Sequence, residues 1–208
     1  MGEPIIAVDG PAASGKGTLA KKLAAHYGLP ALDTGLLYRA VGQKMRDEGR
    51  DFSDESAAVA IAERFDASWL DDLRLRERLA GEAASRVAKI GGVRDALRKF
   101  QQDFAHQPGG AVLDGRDIGT VIAPDATAKL WIDADVKVRA GRRYRELAAR
   151  GEPVTEADIL ADLVARDERD APNMVVAVDA VRIDTSVMGI DEAFAAALSA
   201  VEGRLARN

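Results

Sequence analysis

Short apolar runs alternate with longer amphipathic stretches along much of the chain. The first run, at residues 5–8, is continuous and stops at Asp9 and Gly10, which is the pattern of a strand buried on both faces. Similar short runs predict strands at residues 31–33, 111–113, 128–132 and 180–183. Apolar positions spaced along one helical face predict helices at residues 15–27, 35–47 and 190–205. Because strands that alternate with helices pair in parallel through right-handed crossovers, we predict an α/β three-layer sandwich with helices on both faces of a parallel sheet.

Two charged regions between these elements add no strand to the predicted sheet. Residues 50–106 are expected to be helical, with SDESAAVAIAERF and LRLRERLAGEAASRVA as their most periodic stretches. Residues 135–170 are rich in arginine and predict a helical hairpin that turns at RGEP, with TEAD as a capping box that starts the second helix at Thr155. The chain contains no internal repeat and no Pro/Ser-rich linker, so we expect one domain over residues 1–208.

The composition favours one globular core and excludes several kinds of partner. With 208 residues, 47% of them hydrophobic, the chain is long enough to bury one sizeable core. Its 29 basic and 34 acidic residues give a net charge of −5, which argues against a protein bound mainly to nucleic-acid backbone. It has no cysteine, no signal-peptide pattern and no apolar run approaching the ~18 residues that span a bilayer. We expect a cytoplasmic protein, a monomer, without a membrane or nucleic-acid partner.

The stretch GPAASGKGT matches the phosphate-loop pattern, with the strand before it and the helix after it that this motif requires. In such loops the backbone N–H groups and the start of the following helix surround nucleotide phosphates, and the lysine reaches between the β- and γ-phosphates. Lys16 is therefore a candidate catalytic residue. The residues predicted to bind the donor, ATP, are Gly10, Pro11, Ala12, Ala13, Ser14, Gly15, Lys16, Gly17 and Thr18.

The residue after Lys16 departs from the standard phosphate loop. It is Gly17, where the standard pattern has the serine or threonine that ligates Mg²⁺, and the hydroxyl comes one position later at Thr18. The metal must then be held through phosphates and water, or by Thr18 in another geometry. Asp114, which ends an apolar strand, either orients Mg²⁺-bound water or makes a structural hydrogen bond to the loop. The form GKGT is typical of nucleoside monophosphate kinases, whose acceptor is itself a phosphate.

An enzyme that phosphorylates a phosphate must hold two anions side by side, and arginines of this chain provide charge for that purpose. LDTGLLYR places Thr34 at the end of one predicted strand and Arg39 in the next helix, and LDGRDIGT places Arg116 and Asp117 at the end of another. Because ligands of open parallel sheets bind beyond the carboxyl ends of the strands, we expect these loops to face one crevice with the phosphate loop. Arginine suits the acceptor, since its planar guanidinium binds a phosphate in a bidentate manner.

Several motifs together resemble the bacterial cytidylate kinases. They are GPAASGKGT, LDTGLLYR, GEAASRVA, GGVRDAL, VLDGRDIGT, PDA and RDERD, in this order, and they cover nearly the whole chain. The resemblance implies a P-loop kinase that transfers the γ-phosphoryl group of MgATP to CMP or dCMP, with a reduced monophosphate-binding insert at about residues 50–90. The acceptor-binding residues that it implies are Thr34, Arg39, Ser85, Arg94, Arg116, Asp117, Arg166 and Asp170.

The resemblance also implies that the arginine-rich hairpin is a lid, at about residues 142–165, that closes over ATP. Arg139, Arg142 and Arg143 share one face of its first helix. Arg139 and Arg143, together with Arg116, are the arginines expected to stabilise the transferring phosphoryl group. Taken singly, each hairpin arginine fits a solvated helix face equally well. After RDERD the chain lacks an arginine that the family usually has, so one contact to the sugar or phosphate is missing or is supplied by Asn173.

The chemistry of cytidine monophosphate fits these residues. A carboxylate such as Asp117 accepts a hydrogen bond from the exocyclic amine of cytosine, while Ser85 or an arginine satisfies the ring acceptors. A general base is not needed, because a phosphate monoester with a second pKa of about 6 is already mostly ionised at neutral pH.

Two other functions remain as alternatives to a CMP kinase. One is a kinase for another small acceptor, such as UMP, AMP or shikimate, and the other is a non-catalytic nucleotide-binding switch module, which the glycine after Lys16 disfavours.

Overall fold

Five parallel strands form the sheet of the fold. The computed structural model describes residues 3–206. The strands are β1 (Ile5–Asp9), β2 (Ala31–Asp33), β3 (Ala111–Gly115), β4 (Ala128–Asp133) and β5 (Val181–Asp184). Their spatial order is β2-β3-β1-β4-β5, and every pairing is parallel. All five strands predicted from the apolar runs are confirmed, and their ends differ from the predicted ones by one or two residues at most.

Helices connect these strands. Within residues 3–206 the α-helices are α1 (Lys16–Tyr27), α2 (Thr34–Asp47), α3 (Glu55–Glu63), α4 (Arg78–Val87), α5 (Gly91–Ala105), α6 (Val136–Ala148), α7 (Glu156–Asp170) and α8 (Ile190–Leu205). The three helices predicted from single-face periodicity are confirmed as α1, α2 and α8. None of the helices in this described range is long and apolar enough to cross a membrane. The predicted α/β class, with a parallel sheet flanked by helices, is confirmed.

The described residues divide into two compact units. The first is formed by the segment up to Asp33 together with the segment from Gln102 onward, and it contains all five strands with α1, α6, α7 and α8. The second, Thr34–Gln101, contains α2, α3, α4 and most of α5. The region predicted as a monophosphate-binding insert, residues 50–90, lies inside the second unit.

The main core of the first unit joins α1 and α8 to the central strands. Its buried side chains include Ile6, Val8, Leu19, Leu23, Leu130, Ile132, Ala193, Ala197 and Val201. Removing each leucine, isoleucine or valine of this group from water contributes about 1.5–3 kcal/mol. β1 lies in the centre of the sheet, so the loop that follows β1 also begins there.

The arginine-rich hairpin is confirmed as α6 and α7, which pack through Leu147, Ile159 and Leu163. Thr155 begins α7 as predicted: its hydroxyl oxygen accepts the N–H of Asp158 at 3.2 Å, and the hydroxyl donates to the Asp158 carboxylate at 2.7 Å. The hairpin therefore has a small apolar core and a capped start of its second helix.

The stretch LRLRERLAGEAASRVA is helical but is not one helix. Its first residues form a 3₁₀ turn, Leu73–Arg76, and the side chain of Asp72 caps this turn by accepting the N–H of Arg74 at 2.9 Å. The backbone is then extended at Glu77, with ψ of 162°, and α4 begins at the next residue. The spacing of leucines and arginines did not predict this break at Glu77, because Asp72, which caps the 3₁₀ turn, lies before the periodic stretch.

Gly10, which directly follows β1, has no room for a side chain. Its φ is 149°, and a β-carbon would lie 2.0 Å from the carbonyl oxygen of Ile132 in β4. We therefore expect Gly10→Ala to lower the free energy of unfolding by about 3 kcal/mol or more, since backbone must shift to admit the methyl group. Urea unfolding measures the change.

Gly203→Ala in α8 is the matched control for this substitution. Nothing lies within 4 Å of a β-carbon added at Gly203. Replacing a glycine inside a helix should raise the free energy of unfolding by about 0.5–1 kcal/mol. Similar effects of the two substitutions would contradict the steric argument for Gly10.

Candidate active site

The phosphate loop, residues 10–18, connects β1 to α1. Its backbone enters the left-handed region at Ala13, with φ of 60°, and at Gly15, with φ of 94°. The carbonyl of Gly15 then accepts the N–H groups of Thr18 and Leu19, both at 3.1 Å, where α1 begins. A loop of this conformation that leads into a helix start directs backbone N–H groups at an anion. Ala13 is the one described residue other than glycine with a positive φ, and such strain is concentrated at functional sites.

Lys16, the first residue of α1, lies among charges of both signs. Its Nζ donates to the carbonyl oxygen of Pro11 at 3.4 Å. Burial lowers the pKa of Lys16 below its ordinary value of 10.5, and the positive charge of Arg116 acts in the same direction. The carboxylates of Asp114 and Asp33 oppose this shift. An ammonium group that is poorly hydrated and near another cation is stabilised by an incoming anion such as a nucleotide phosphate.

Two carboxylates act on this lysine from the ends of neighbouring strands. Asp33 of β2 and Asp114 of β3 are direct partners in the strand register. Burial raises the pKa of Asp114, the charge of Asp33 adds to this effect, and Lys16 opposes it. A β-carbon on Gly17 would lie 3.5 Å from Oδ2 of Asp114. The carboxylate of Asp114 therefore lies beside the position where standard phosphate loops carry a metal-binding hydroxyl.

The oxygen donors beside the phosphate loop suit Mg²⁺. Asp114 offers a carboxylate, and Thr18, in the first turn of α1, offers a hydroxyl. In phosphoryl-transfer sites Mg²⁺ is usually bound by one or two protein carboxylates together with substrate phosphates and water. Within residues 3–206 no group of three or more His, Cys, Asp or Glu side chains is arranged to hold a metal ion by itself. This donor set fits a metal ion that arrives with the nucleotide.

Arg116 and Arg166 are held side by side by one carboxylate. Nε of Arg116 donates to Oδ2 of Asp170 at 3.1 Å, and Nε of Arg166 lies 3.5 Å from the same oxygen. The three side chains are between 12% and 19% exposed. We call these three residues the arginine cluster. The structure therefore brings together three residues that the sequence analysis assigned to the acceptor, and both arginines act electrostatically on Lys16.

Asp117 follows Arg116 and precedes a π turn, Ile118–Ile122. The residue is 8% exposed, and its carbonyl oxygen accepts the N–H of Val121 at 2.8 Å. The N–H groups of Ile118 and Gly119 donate instead to the carboxylate of Asp9, at 2.9 and 2.8 Å. Asp9 was predicted only as the residue that ends β1, and this contact was not predicted. The feature of the sequence that could have indicated this contact is the position of Asp9, a carboxylate directly at the end of a fully apolar strand.

Arg139 of α6 is buried inside the hairpin. It is 5% exposed, and its Nη2 lies 2.6 Å from Oδ2 of Asp167 in α7. Its Nε donates to the carbonyl of Ala134 at 2.9 Å, and its Nη1 donates to the carbonyl of Ala12 at 3.2 Å. Arg139 therefore links both helices of the hairpin to the phosphate loop. Asp167 was another residue that the sequence analysis did not identify.

Arg142 and Arg143 have different surroundings, although both lie on the predicted face of α6. Arg142 donates to the hydroxyl and carbonyl oxygens of Thr185 at 2.9 and 2.6 Å. The hydroxyl of Thr185 donates to the carbonyl of Ser14 at 3.0 Å, so this contact also reaches the phosphate loop. Arg143 pairs with Glu146 at 2.8 Å. Thr185, which is 2% exposed, is a further residue that spacing along the chain did not reveal.

The remaining predicted acceptor residues lie in the second unit. Thr34 is the first residue of α2 and is buried, and Ser85 is buried in α4. Nη1 of Arg39 donates to the carbonyl of Leu75 at 2.7 Å. Arg94 lies in the first turns of α5.

Close packing of α2 on α4 sets the spacing of residues within the second unit. A β-carbon on Gly42 would lie 2.8 Å from the β-carbon of Ala83. Two small residues therefore let the helix axes approach closely. Arg39 and Ser85 lie on these two helices, one turn or less from the contact.

Comparison with known proteins identifies relatives over nearly the whole chain. A family model described as cytidylate kinase matches residues 6–203. The cytidylate kinase of Xanthobacter autotrophicus strain Py2 is 59% identical over 206 residues, which cover 97% of this chain and 99% of the relative. The cytidylate kinase of Methylobacterium sp. strain 4-46 is 58% identical, with coverages of 96% and 97%. That of Caulobacter vibrioides strain NA1000 is 56% identical, covering 98% of each chain.

Solved structures with low sequence identity share the fold. The crystal structure of an uncharacterized protein from Eubacterium ventriosum aligns with a TM-score of 0.56 and 16% identity, covering 97% of this chain and 99% of the other. The crystal structure of TT1252 from Thermus thermophilus aligns with a TM-score of 0.50 and 20% identity, covering 98% and 99%. At these identities the likeness supports the α/β fold alone.

Proposed function

The chain belongs to the cytidylate kinase family and phosphorylates CMP or dCMP with ATP as the donor, and we propose that its phosphate loop and arginine cluster carry out this transfer. The observation that carries the proposal is the pairing of Arg116 and Arg166 on one carboxylate, that of Asp170, with both arginines close enough to Lys16 to lower its pKa. Two adjacent phosphate groups require several cationic side chains, and in a chain of net charge −5 these must be concentrated locally.

The donor side of the site would be the loop from Gly10 to Thr18. Its backbone N–H groups bind the β-phosphate, and the ammonium of Lys16 contacts the β- and γ-phosphates. Asp114 and Thr18 would hold Mg²⁺, in part through water. When bound, Mg²⁺ neutralises charge on the transferring phosphate.

The acceptor side would begin at the arginine cluster. The guanidinium groups of Arg116 and Arg166 bind the phosphate of CMP and orient one of its oxygens towards the γ-phosphorus. A bond forms between that oxygen and the γ-phosphorus while the bond to the bridging oxygen of ADP breaks, which gives CDP or dCDP and ADP. A general base is not required, because the acceptor oxygen is mostly ionised at neutral pH.

Further predicted residues are proposed to bind the base and sugar of the acceptor. We propose that Asp117 accepts from the exocyclic amine of cytosine and that Ser85 donates to a ring acceptor. The remaining proposed acceptor-binding residues are Thr34, Arg39 and Arg94. We propose that the hairpin acts as the lid and that Arg139 and Arg143 contact the transferring phosphoryl group when it closes. On closure, Arg139 would leave its ion pair with Asp167 and bind phosphate instead.

A panel of nucleoside monophosphates tests the proposed function directly. ADP release from ATP is expected to be stimulated by CMP and dCMP far above UMP, AMP and shikimate, and to be slow without an acceptor. Rapid ADP release from ATP alone would indicate a switch or simple ATPase. A panel with no preference for cytidine nucleotides would contradict the assigned acceptor.

Asp117→Asn tests the base-reading residue within the same assay. The carboxylate of Asp117 offers only acceptors to the exocyclic amine of cytosine, whereas the amide of asparagine can also present a donor to it. The preference for CMP over UMP, measured as the ratio of the two kcat/KM values, is therefore expected to fall about 10- to 100-fold. Asp133→Asn, at the end of β4, is the control, and it should leave the ratio unchanged. An unchanged ratio in Asp117→Asn would exclude Asp117 as the residue that reads cytosine.

A further inference from the structure

Asp9, the last residue of β1, is a buried carboxylate that the mechanism above does not use. The residue is 6% exposed, and its two oxygens accept the N–H groups of Ile118 and Gly119 at 2.9 and 2.8 Å. Burial raises the pKa of Asp9 to about 6, and the two N–H groups counteract that rise. The carboxylate is therefore mostly ionised at neutral pH, and its charge in the core is stabilised by these two hydrogen bonds.

The two N–H groups belong to the start of the π turn that follows Arg116 and Asp117. The first N–H groups of a helical turn have no partner inside the turn, and a carboxylate is a strong cap for them. The usual source of a cap is the residue directly before the turn, which here is Asp117. The cap comes instead from Asp9, which is 109 residues away in sequence from Ile118. The carboxylate of Asp117 is therefore not required as the cap.

A second contact on the turn comes from β4. A β-carbon on Gly119 would lie 3.1 Å from Cδ of Lys129 and 3.5 Å from Oδ2 of Asp9. Lys129 is itself fixed, because its Nζ donates to the carbonyl of Pro124 at 2.6 Å and to Asp179 at 3.1 Å. The turn is thus held by side chains from two neighbouring strands, and glycine is the residue that lets both approach it.

We propose that Asp9 is a positioning residue for the acceptor site: by capping the π turn it sets where Arg116 and Asp117 lie relative to the phosphate loop. This inference rests on the proposed function, in which those two residues bind CMP. Asp9 precedes Gly10, so the strand that leads into the donor-binding loop also fixes the acceptor-binding loop. The donor loop keeps its own contacts, since Gly10 lies against β4 and Lys16 is part of α1. Loss of the cap should therefore affect the acceptor more than the donor.

Asp9→Asn is the first test, because asparagine has one acceptor oxygen for two N–H groups. The KM for CMP is expected to rise about 10- to 100-fold, while the KM for ATP changes less than about twofold. Amide hydrogen exchange at Ile118 and Gly119 should become faster. Gly119→Ala disturbs the same turn from the Lys129 side without altering a charge, and it should give the same split between the two KM values.

Asp133→Asn is the matched control, because this strand-end carboxylate of β4 accepts the N–H of Ala134 at 2.8 Å. It should leave both KM values unchanged. The positioning role would be overturned if Asp9→Asn left the KM for CMP unchanged, or if it raised the KM values for CMP and ATP equally. If Asp9→Asn does not fold, the same comparison of the two KM values in Gly119→Ala tests the positioning role. If the wild-type enzyme shows no preference for CMP, the proposed function fails, whereas amide exchange still reports whether Asp9 caps the turn.

Discussion

Lys16→Ala is expected to lower kcat by about 10²- to 10³-fold, which is the usual cost of removing one preorganised charge from a phosphoryl-transfer or oxyanion site. The side chain is poorly hydrated and lies near Arg116, so its ammonium is placed to meet a phosphate rather than water. Steady-state kinetics with CMP at saturating ATP measure the loss. Lys22→Ala is the control: Lys22 lies on the same helix as Lys16, and its removal breaks an exposed ion pair with Asp191 of α8, so kcat should change less than about twofold.

The pH dependence of ATP binding provides a second measurement on Lys16. Because burial lowers its pKa, the lysine of the free enzyme loses its proton at lower pH than an exposed lysine does. ATP phosphates bind the protonated form, and the pKa of Lys16 is lowered to about 7, so the KM for ATP should rise as the pH increases above about 7, where a phosphate with a second pKa of about 6 is already mostly ionised. Lys16→Arg should show no such rise, since arginine stays protonated. A pH-independent KM in the wild type would contradict this prediction.

Arg116→Ala is expected to lower kcat/KM for CMP by about 10²- to 10³-fold, the second-largest effect that the structure predicts. The substitution removes a guanidinium from the acceptor side and leaves Asp170 with Arg166 as its partner in the cluster. Arg116→Lys should recover only part of the loss, because an ammonium cannot bind phosphate in a bidentate manner. The measurement is kcat/KM for CMP at saturating ATP.

Arg98→Ala is the control for Arg116→Ala. Arg98 is 44% exposed and pairs with Asp95 on α5, so its removal should change kcat/KM for CMP only slightly. If Arg116→Ala retained wild-type kcat/KM for CMP, the cluster of Arg116, Arg166 and Asp170 would be a structural ion-pair network and the acceptor phosphate would bind elsewhere.

Local sequence patterns were sufficient to predict the sheet and its main helices. Continuous apolar runs that stop at an aspartate, such as Ile5–Asp9, have few other interpretations in an α/β chain. The phosphate loop was predictable for the same reason, because its motif requires a strand, a turn and a helix within a short stretch. The interruption at Glu77 was not predictable from periodicity, because Asp72, whose side chain caps a separate 3₁₀ turn, lies before the helical pattern.

Contacts between distant segments were the part of the site that the sequence could not show. The spacing of Arg139 and Arg143 predicted one shared helical face, but the burial of Arg139 depends on Asp167 in the other helix of the hairpin. The capping role of Asp9 depends on the return of β3 beside β1, which no local pattern specifies. The arginines and Asp170 were therefore predictable from sequence motifs, whereas Asp9, Asp167 and Thr185, which contact other parts of the site, were not.

The strand order also has a consequence for how the protein is made on the ribosome. β1 is synthesised first, yet its hydrogen-bonded neighbours are β3 and β4, so that Ile5 pairs with Ala111 and Ile6 with Ala128. The second unit, Thr34–Gln101, is continuous in sequence and emerges completely before either neighbour of β1. β1 therefore lacks both of its sheet neighbours while the whole segment Thr34–Gln101 is translated, which is the stage at which chaperones would be expected to bind the growing chain.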